Sequence, residues 1–356
     1  MPLRTTRVRN RVTILLQDDG AELTLAEEDE SIAQAFYEHS GNKPRKISTA
    51  FDGTAGDTAI TAATNSGIYD DMVAWDNPAT FLRKVEFPIV TAGEPVFILP
   101  KHMILIPEGD SLPTAIRYLE STPSTGTNNA EAYHNALHIY LRPPTSVTAV
   151  PGATAGTTTY GYRVTAVDSA GETLASVESS VTTGNATLDG TNFNTLTWDR
   201  VYGADSYNIY RTTAGGTPSS TGFIAAASVS DPTATYNDIG GAASGTVPLV
   251  DTTETSLELR YLEAVARLAV CYCFEAIADK KAGFTDANFE GSDTDFGSMI
   301  DRYAARCEAL RAYYDRVVKG GDEAVGAALT QKSFVPPPSD DSSYLIDAYN
   351  EDGLMR

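Results

Sequence analysis

The sequence has little of what defines several large classes of protein. It contains no apolar run of 18 or more residues, so we expect no membrane-spanning helix. The arginine-rich start, Met1–Asn10, lacks the apolar segment of a secretory leader, and we expect synthesis in the cytoplasm. Basic residues are few, with 26 Lys and Arg against 47 Asp and Glu. The net charge of −21 therefore disfavours nucleic acid and anionic membranes as ligands.

Cysteine is scarce, and its three occurrences are Cys271, Cys273 and Cys307. Three cysteines do not make a disulfide framework. A zinc site needs four ligands, and no Cys/His cluster in the sequence supplies them. Because all three cysteines fall in helical patterns, they are predicted to be small buried hydrophobic residues.

Motifs for catalysis and metal binding are missing as well. No P-loop, no G-x-S-x-G and no Ser/His/Asp arrangement with supporting context occurs. His134 and His138 have the spacing of a helical metal pair, but alternation over Ala136–Leu141 predicts a strand, on which they would lie ~13 Å apart. The segment from Asp286 to Gly291 begins like an EF-hand loop, yet its twelfth position is Gly297 instead of Glu. We expect a chain that is not an enzyme and holds no metal or other cofactor.

The basic residues near the N-terminus form a cluster on an acidic body. They are Arg4, Arg7, Arg9 and Arg11. A charge run of this kind is usually solvated, and the alternative is contact with an acidic surface of a partner. We therefore predict a basic arm and treat its four arginines as candidates for contact with a neighbouring subunit.

The middle of the chain, residues 146–247, contains no Lys, His or Cys and is rich in Thr, Ser, Gly, Ala and Val. Short runs such as Thr158–Val167, Asn194–Trp198 and Ser206–Arg211 alternate between apolar and polar residues. Period-two alternation over about 100 residues, broken by turn signals, predicts an antiparallel β-sandwich.

The flanking segments predict helices and further strands. Thr24 and Glu27 form a capping box before a helix over residues 24–40. Apolar stripes predict two more helices, from about Glu254 to Lys281 and from about Phe296 to Lys319, which pack as a hairpin that the first helix can join. The predicted helical core is Leu262, Val265, Ala269, Tyr272, Phe296, Ile300, Tyr303, Cys307, Leu310 and Tyr314. Strands are predicted at Phe81–Val90, Val96–Leu99, Met103–Ile106, Ala115–Leu119 and Ala136–Leu141.

The C-terminal segment, residues 331–356, has no helical or strand period, yet it is not purely polar. Two interpretations stay open: a disordered end, or an extended arm that orders on a partner. Its apolar candidates for such docking are Phe334, Val335, Tyr344, Leu345, Ile346 and Tyr349.

Read as if the middle segment were absent, the flanks resemble the head-to-tail adaptor (connector, or head-completion) family of tailed bacteriophages. The early acidic helix is followed by Lys43-Pro-Arg-Lys46 and by Leu82-Arg-Lys-Val-Glu-Phe-Pro88. His138-Ile-Tyr-Leu141 then leads into the helices that begin at Leu259-Arg-Tyr-Leu and at Asp301-Arg-Tyr-Ala. The resemblance covers about 230 residues, and the order of the segments carries it. The middle segment resembles a fibronectin-type-III-like module through Tyr160–Val167, Leu196-Thr-Trp198 and Tyr207–Arg211.

These resemblances imply an α+β chain with four parts. Residues 1–145 and 248–330 would form an adaptor domain, with a small helical bundle and a strand-rich part. Residues 146–247 would be an inserted Ig-like sandwich, and residues 331–356 would be the C-terminal arm. The adaptor family implies a homo-oligomeric ring, commonly of twelve subunits, in the neck of the virion. Such a ring binds the portal protein through the arm, carries stopper or tail-terminator proteins, and lets DNA pass without sequence-specific binding.

Two other functions stay open. A surface- or carbohydrate-binding virion protein would act through the sandwich, and it would need exposed aromatic residues such as Tyr202 or Tyr207. A hydrolase with an accessory sandwich would need a catalytic cluster in the flanks, where none is visible.

Overall fold

A computed structural model describes most of the chain up to residue 320. The described residues are 3–16, 22–56, 59–61, 68, 71, 74–75, 81–87, 96–98, 104–105, 115–117, 125–152, 155–211, 222–228, 233–282 and 296–320. The chain falls into two units, Met1–Lys319 and Gly320–Arg356. The predicted docking residues of the C-terminal arm and the EF-hand-like segment lie outside the described residues. Among the described helices, none is long and apolar enough to cross a membrane.

The chain is mixed α+β, as predicted. Its helices are α1 (Thr5–Leu16), α2 (Leu25–Asn42), α3 (Leu262–Ala282) and α4 (Phe296–Val318). Its strands are β1 (Leu3–Arg4), β2 (Arg45–Gly53), β3 (Ala59–Thr61), β4 (Leu82–Phe87), β5 (Val96–Ile98), β6 (Ile104–Leu105), β7 (Ala115–Arg117), β8 (Gly126–Ala136), β9 (Thr148–Pro151), β10 (Thr158–Val167), β11 (Ser179–Gly184), β12 (Asn194–Asp199), β13 (Ser206–Arg211), β14 (Gly222–Ser228), β15 (Thr233–Asp238) and β16 (Glu254–Thr255).

Helix α3 is the centre of the helical bundle and packs against α1, α2 and α4. Helices α3 and α4 run antiparallel: Arg267 lies over the ring of Tyr313, and further along, Phe274 stacks on Tyr303 at 5.0 Å between ring centroids. The predicted hairpin and its third member are therefore confirmed, while α1 is a fourth member that the basic arm prediction missed. The predicted core residues whose side chains are described are buried or packed against the core: Leu262, Val265, Ala269, Tyr272, Tyr303, Cys307, Leu310 and Tyr314.

The capping box at the start of α2 is confirmed. The Thr24 hydroxyl accepts a hydrogen bond from the Glu27 backbone N–H, and the Glu27 carboxylate accepts one from the Thr24 backbone N–H at 2.8 Å. We expect Thr24→Ala to lower the free energy of unfolding by about 1 kcal/mol, because the Glu27 backbone N–H loses its side-chain acceptor. Thr24→Ser, which keeps the hydroxyl, is the control, and urea unfolding of both variants is the measurement. Equal losses in the two variants would contradict a role for the cap.

Two predicted boundaries are wrong. The helix expected from Glu254 begins only at Leu262, because Glu254 pairs with Arg4 in the short sheet of β1 and β16 and a 3₁₀ turn follows at Leu259–Tyr261. The strand expected at Ala136–Leu141 does not form, because β8 ends at Ala136 and residues 137–141 are not in a strand. Beyond it, the backbone N–H groups of 138 and 139 donate to serine hydroxyls of α2 and of the segment before α3, so no strand partner is needed.

The strands other than β1 and β16 form four sheets. A four-stranded antiparallel sheet has the order β2-β8-β4-β5, and a three-stranded sheet has the order β3-β7-β6. These sheets contain the remaining strands predicted in the first flank. Sheets β11-β10-β13-β14 and β15-β12-β9 enclose one apolar core in which Trp198, Tyr160, Tyr162 and Tyr207 are fully buried. This arrangement matches the sandwich predicted from alternation.

The cysteines differ from their prediction. All three are buried, but Cys271 of α3 and Cys307 of α4 are joined in a disulfide, with Cα atoms 4.6 Å apart. The pair was missed because its members are 36 residues apart on separate helices, and only the packing of those helices brings them together.

Candidate interaction surfaces

An apolar groove lies where the helical bundle meets the sandwich. Its walls come from the start of α2, from the segment 142–147 and from residues 175–178, which precede β11. The groove has a volume of about 380 Å³, within the range of ligand and side-chain pockets. Leu25 and Val177 line it, and Val177 is 84% exposed. Because exposed apolar side chains such as Leu25 and Val177 line one concave surface together, the groove is a candidate for covering by a partner.

A second apolar feature is the aliphatic pair Leu249–Val250, in the segment that leads from the sandwich to the helical bundle. The two side chains are 90% and 62% exposed. The backbone that follows them is held in place, because Thr252 N–H donates to the Glu172 carbonyl at 3.0 Å and the Asp251 carboxylate accepts from Thr253 N–H. The aliphatic pair is therefore presented to solvent from a fixed support.

A buried charge network connects the two surfaces. Arg9 of α1 is 8% exposed and donates to Asp29 Oδ1 at 2.9 Å, to Asp251 Oδ2 at 3.3 Å and to the Tyr140 hydroxyl at 3.4 Å. Burial alone would lower the pKa of Arg9, but Tyr140 and the two carboxylates raise it above its ordinary value. Burial raises the pKa of Asp29, against the opposing effect of Arg9. Asp29 also lines the groove, and Asp251 directly follows the aliphatic pair, so one guanidinium supports both.

The four arginines predicted to form an arm are not an arm. Arg4 lies in β1 beside Glu254, and Arg7, Arg9 and Arg11 lie on α1, whose apolar side is buried in the bundle. Arg9 is inaccessible, and Arg11 pairs with Glu263 of α3 at 2.6 Å. Arg7 is exposed. The basic run is therefore a helix whose charges are largely used within the chain. The four-residue spacing of Val8 and Val12, which places both on one side of a helix, could have indicated this.

A buried histidine pair lies where α2, α4 and the segment before α3 meet. The ring centroids of His39 and His138 are 5.1 Å apart, and His39 Nδ1 lies 3.2 Å from the Tyr314 hydroxyl. His138 Nε2 lies 2.9 Å from the Lys43 carbonyl oxygen, so it carries a proton and donates. Burial, with a smaller effect of His138, lowers the pKa of His39 to about 3, and burial also lowers the pKa of His138. Both rings are neutral at pH 7.

A third histidine, His134, belongs to a separate site. His134 of β8 is fully buried, and its Nε2 lies 2.8 Å from Asp71 Oδ2, while the Tyr202 hydroxyl donates to Asp71 Oδ1 at 2.6 Å. This set connects the β2-β8-β4-β5 sheet to the turn before β13. His134 and His138 thus have different partners and do not form the metal pair that their spacing suggested.

The two tyrosines considered as carbohydrate contacts, Tyr202 and Tyr207, are not exposed. Tyr207 is fully buried and its hydroxyl accepts from Val201 N–H, and Tyr202 is half-buried against Asp71. Neither offers the open ring that stacking on a sugar requires. No protein-family model, curated protein or solved structure matches the chain.

Proposed function

We propose that the protein is a head-to-tail adaptor of a tailed-phage virion, a subunit that associates with copies of itself into a ring between the portal and the tail. The observation that carries the proposal is the presence, on one chain, of an apolar groove and of a separate exposed aliphatic pair. The order of the flanking elements along the chain supports it, because that order is the basis of the resemblance to adaptors.

The two surfaces suit contact between neighbouring copies. The groove and the aliphatic pair use different residues, so a contact between them is heterologous: each subunit gives one surface to each neighbour. A heterologous contact closes into a ring when its rotation divides a full turn. Burying the aliphatic pair in the groove of a neighbour removes two large side chains from water. Full burial of each side chain would stabilise the contact by about 1.5–3 kcal/mol. Repeated around a ring, this gain stabilises the assembly.

The charge of the chain suits a channel for DNA. A net charge of −21 gives a ring a strongly negative field, and phosphate groups are repelled from acidic walls. DNA would then slide through without being held. The carboxylates of the buried Arg9 network do not repel DNA directly, because they lie inside the chain and are paired with Arg9.

The test uses two variants that each remove one surface. Leu249→Arg with Val250→Arg removes the aliphatic pair, and Val177→Arg blocks the groove. Analytical ultracentrifugation and negative-stain imaging of concentrated protein should show rings of the unaltered chain and only the 38.0 kDa monomer for each variant. A 1:1 mixture of the variants should form a dimer and nothing larger, because one intact groove meets one intact aliphatic pair.

The control is Ile239→Arg, an exposed aliphatic residue of the sandwich outside both surfaces, which should leave rings intact. If the unaltered chain stays monomeric at every concentration, the ring is wrong. If rings persist in both variants, the ring stands and this assignment of its contact is wrong.

A further inference from the structure

The disulfide between α3 and α4 has a carboxylate beside it. Cys271 and Glu275 are one helical turn apart on α3, and Cys307 faces them from α4. Glu275 Oε1 lies 3.6 Å from Cys271 Sγ and 3.5 Å from Cys307 Sγ. The three potential ligand atoms are all within 4.8 Å of one another. The oxygen is almost equally far from the two sulfurs because they are bonded to each other, and reduction of that bond would free two thiols beside the carboxylate.

The cluster is open on one side. Both cysteine side chains are buried, but Cys307 and Glu275 line a surface groove of about 530 Å³ between α3 and α4, and half of the Glu275 side chain is exposed. The groove provides an entry path for a small ion and leaves a position for water. Arg311 Nη2 lies 3.2 Å from Glu275 Oε1 and holds the carboxylate toward the sulfurs.

We propose that the reduced chain binds a zinc-class divalent ion with the thiolates of Cys271 and Cys307 and the carboxylate of Glu275, and with water as fourth ligand. Two sulfurs and one oxygen are donors that Zn²⁺ accepts, and an open fourth position is common at zinc sites with three protein ligands. The charges suit a divalent ion, since two thiolates and Glu275 bring three negative charges and Arg311, which also pairs with Glu38, offsets only part of them.

The chemistry involves protons, and the disulfide excludes the ion. A thiol reductant first converts the disulfide into two thiols and is itself oxidised to a disulfide. The ion then binds as two thiols lose their protons to the solvent, so binding strengthens as pH rises. The oxidised chain has no thiolate at these positions. Metal binding and disulfide formation are therefore two alternative links between the same helices.

Co²⁺ titration of the full chain tests the proposal, because a cobalt–thiolate bond gives an intense near-ultraviolet charge-transfer band. The reduced chain should show this band at one Co²⁺ per chain, and added Zn²⁺ should abolish it. The oxidised chain should show none. Cys307→Ser, at the rim of the groove, and Glu275→Gln should each weaken Co²⁺ binding by at least about tenfold.

Cys273→Ala is the matched control, since Cys273 lies two residues from Cys271 but in the helical core, and it should leave the band and the affinity unchanged. Circular dichroism of each variant checks that the helices are intact. A reduced chain that gives no thiolate band overturns the proposal, and so does a band that Cys307→Ser leaves intact or Cys273→Ala removes. These outcomes are independent of whether the chain forms rings.

Discussion

Arg9→Met lowers the free energy of unfolding by about 3–5 kcal/mol, which is the usual effect of removing one partner from a buried ion pair. The cause is the pair of carboxylates that remain. Asp29 and Asp251 would be left buried, with exposed side-chain fractions of 4% and 0%, and without the guanidinium that neutralises both. Desolvation already raises the pKa of Asp29 while Arg9 is present, so the loss of the cation leaves an uncompensated charge or forces protonation.

Arg7→Met is the matched control. Arg7 lies on the same helix two residues away and is exposed, and its substitution alters composition and charge in the same way. The free energy of unfolding is therefore expected to change by no more than about 0.5 kcal/mol. Urea unfolding followed by circular dichroism at pH 7 compares the two variants. Similar losses for both, or a loss below about 1 kcal/mol for Arg9→Met, would show that the network contributes little to stability. Because Arg9 supports both apolar surfaces, this variant is also expected to weaken ring formation under the proposed function.

Acidification from pH 6.5 toward pH 3 is expected to destabilise the chain through His39. Its pKa is about 6.5 in the unfolded chain and is lowered to about 3 in the fold by burial. Below pH 6.5 the unfolded chain binds a proton that the folded chain does not bind, so stability is complete above pH 6.5 and is lost as pH falls. The slope is about 1.4 kcal/mol per pH unit until the folded pKa is reached. His138, whose pKa is lowered in the same direction, adds to the loss.

The measurement is urea unfolding at several pH values between 7 and 5, a range that lies above the ordinary pKa values of Asp and Glu. His39→Asn is the comparison, because its amide can still bond with the Tyr314 hydroxyl but does not titrate. We expect His39→Asn to be less stable than the natural chain at pH 7 and to lose less stability on acidification, so that the two curves converge. Parallel curves would mean that His39 does not carry the pH dependence.

Patterns within single elements were predictable from the sequence. Thr24 and Glu27 start α2 through contacts three residues apart, and the apolar spacing along α3 and α4 predicts which sides face the bundle. Alternation along β10, β12 and β13 predicts the buried side chains of the sandwich. In each case, the physical cause is local: backbone geometry fixes which side chains share a face, and burial selects the apolar ones.

Boundaries were less predictable where side chains replace backbone partners. Residues 137–141 alternate like a strand, yet Ser40 and Ser256 satisfy the backbone N–H groups there, and both serines are more than 90 residues away in sequence. The start of α3 was misplaced for a related reason, because Glu254 is drawn into a short strand by pairing with Arg4. A pattern within a window cannot indicate a distant donor or acceptor.

The sequence by itself determined the α+β class, the sandwich in the middle segment and the pairing of α3 with α4, since these depend on periodicities of two and 3.6 residues. Only the tertiary structure decided how the N-terminal arginines are used and which cysteines meet. Arg9 contacts carboxylates 20 and 242 residues away, and Cys271 meets Cys307 across two helices. Such contacts follow from the packing of whole elements, which brings together side chains that are far apart in the sequence.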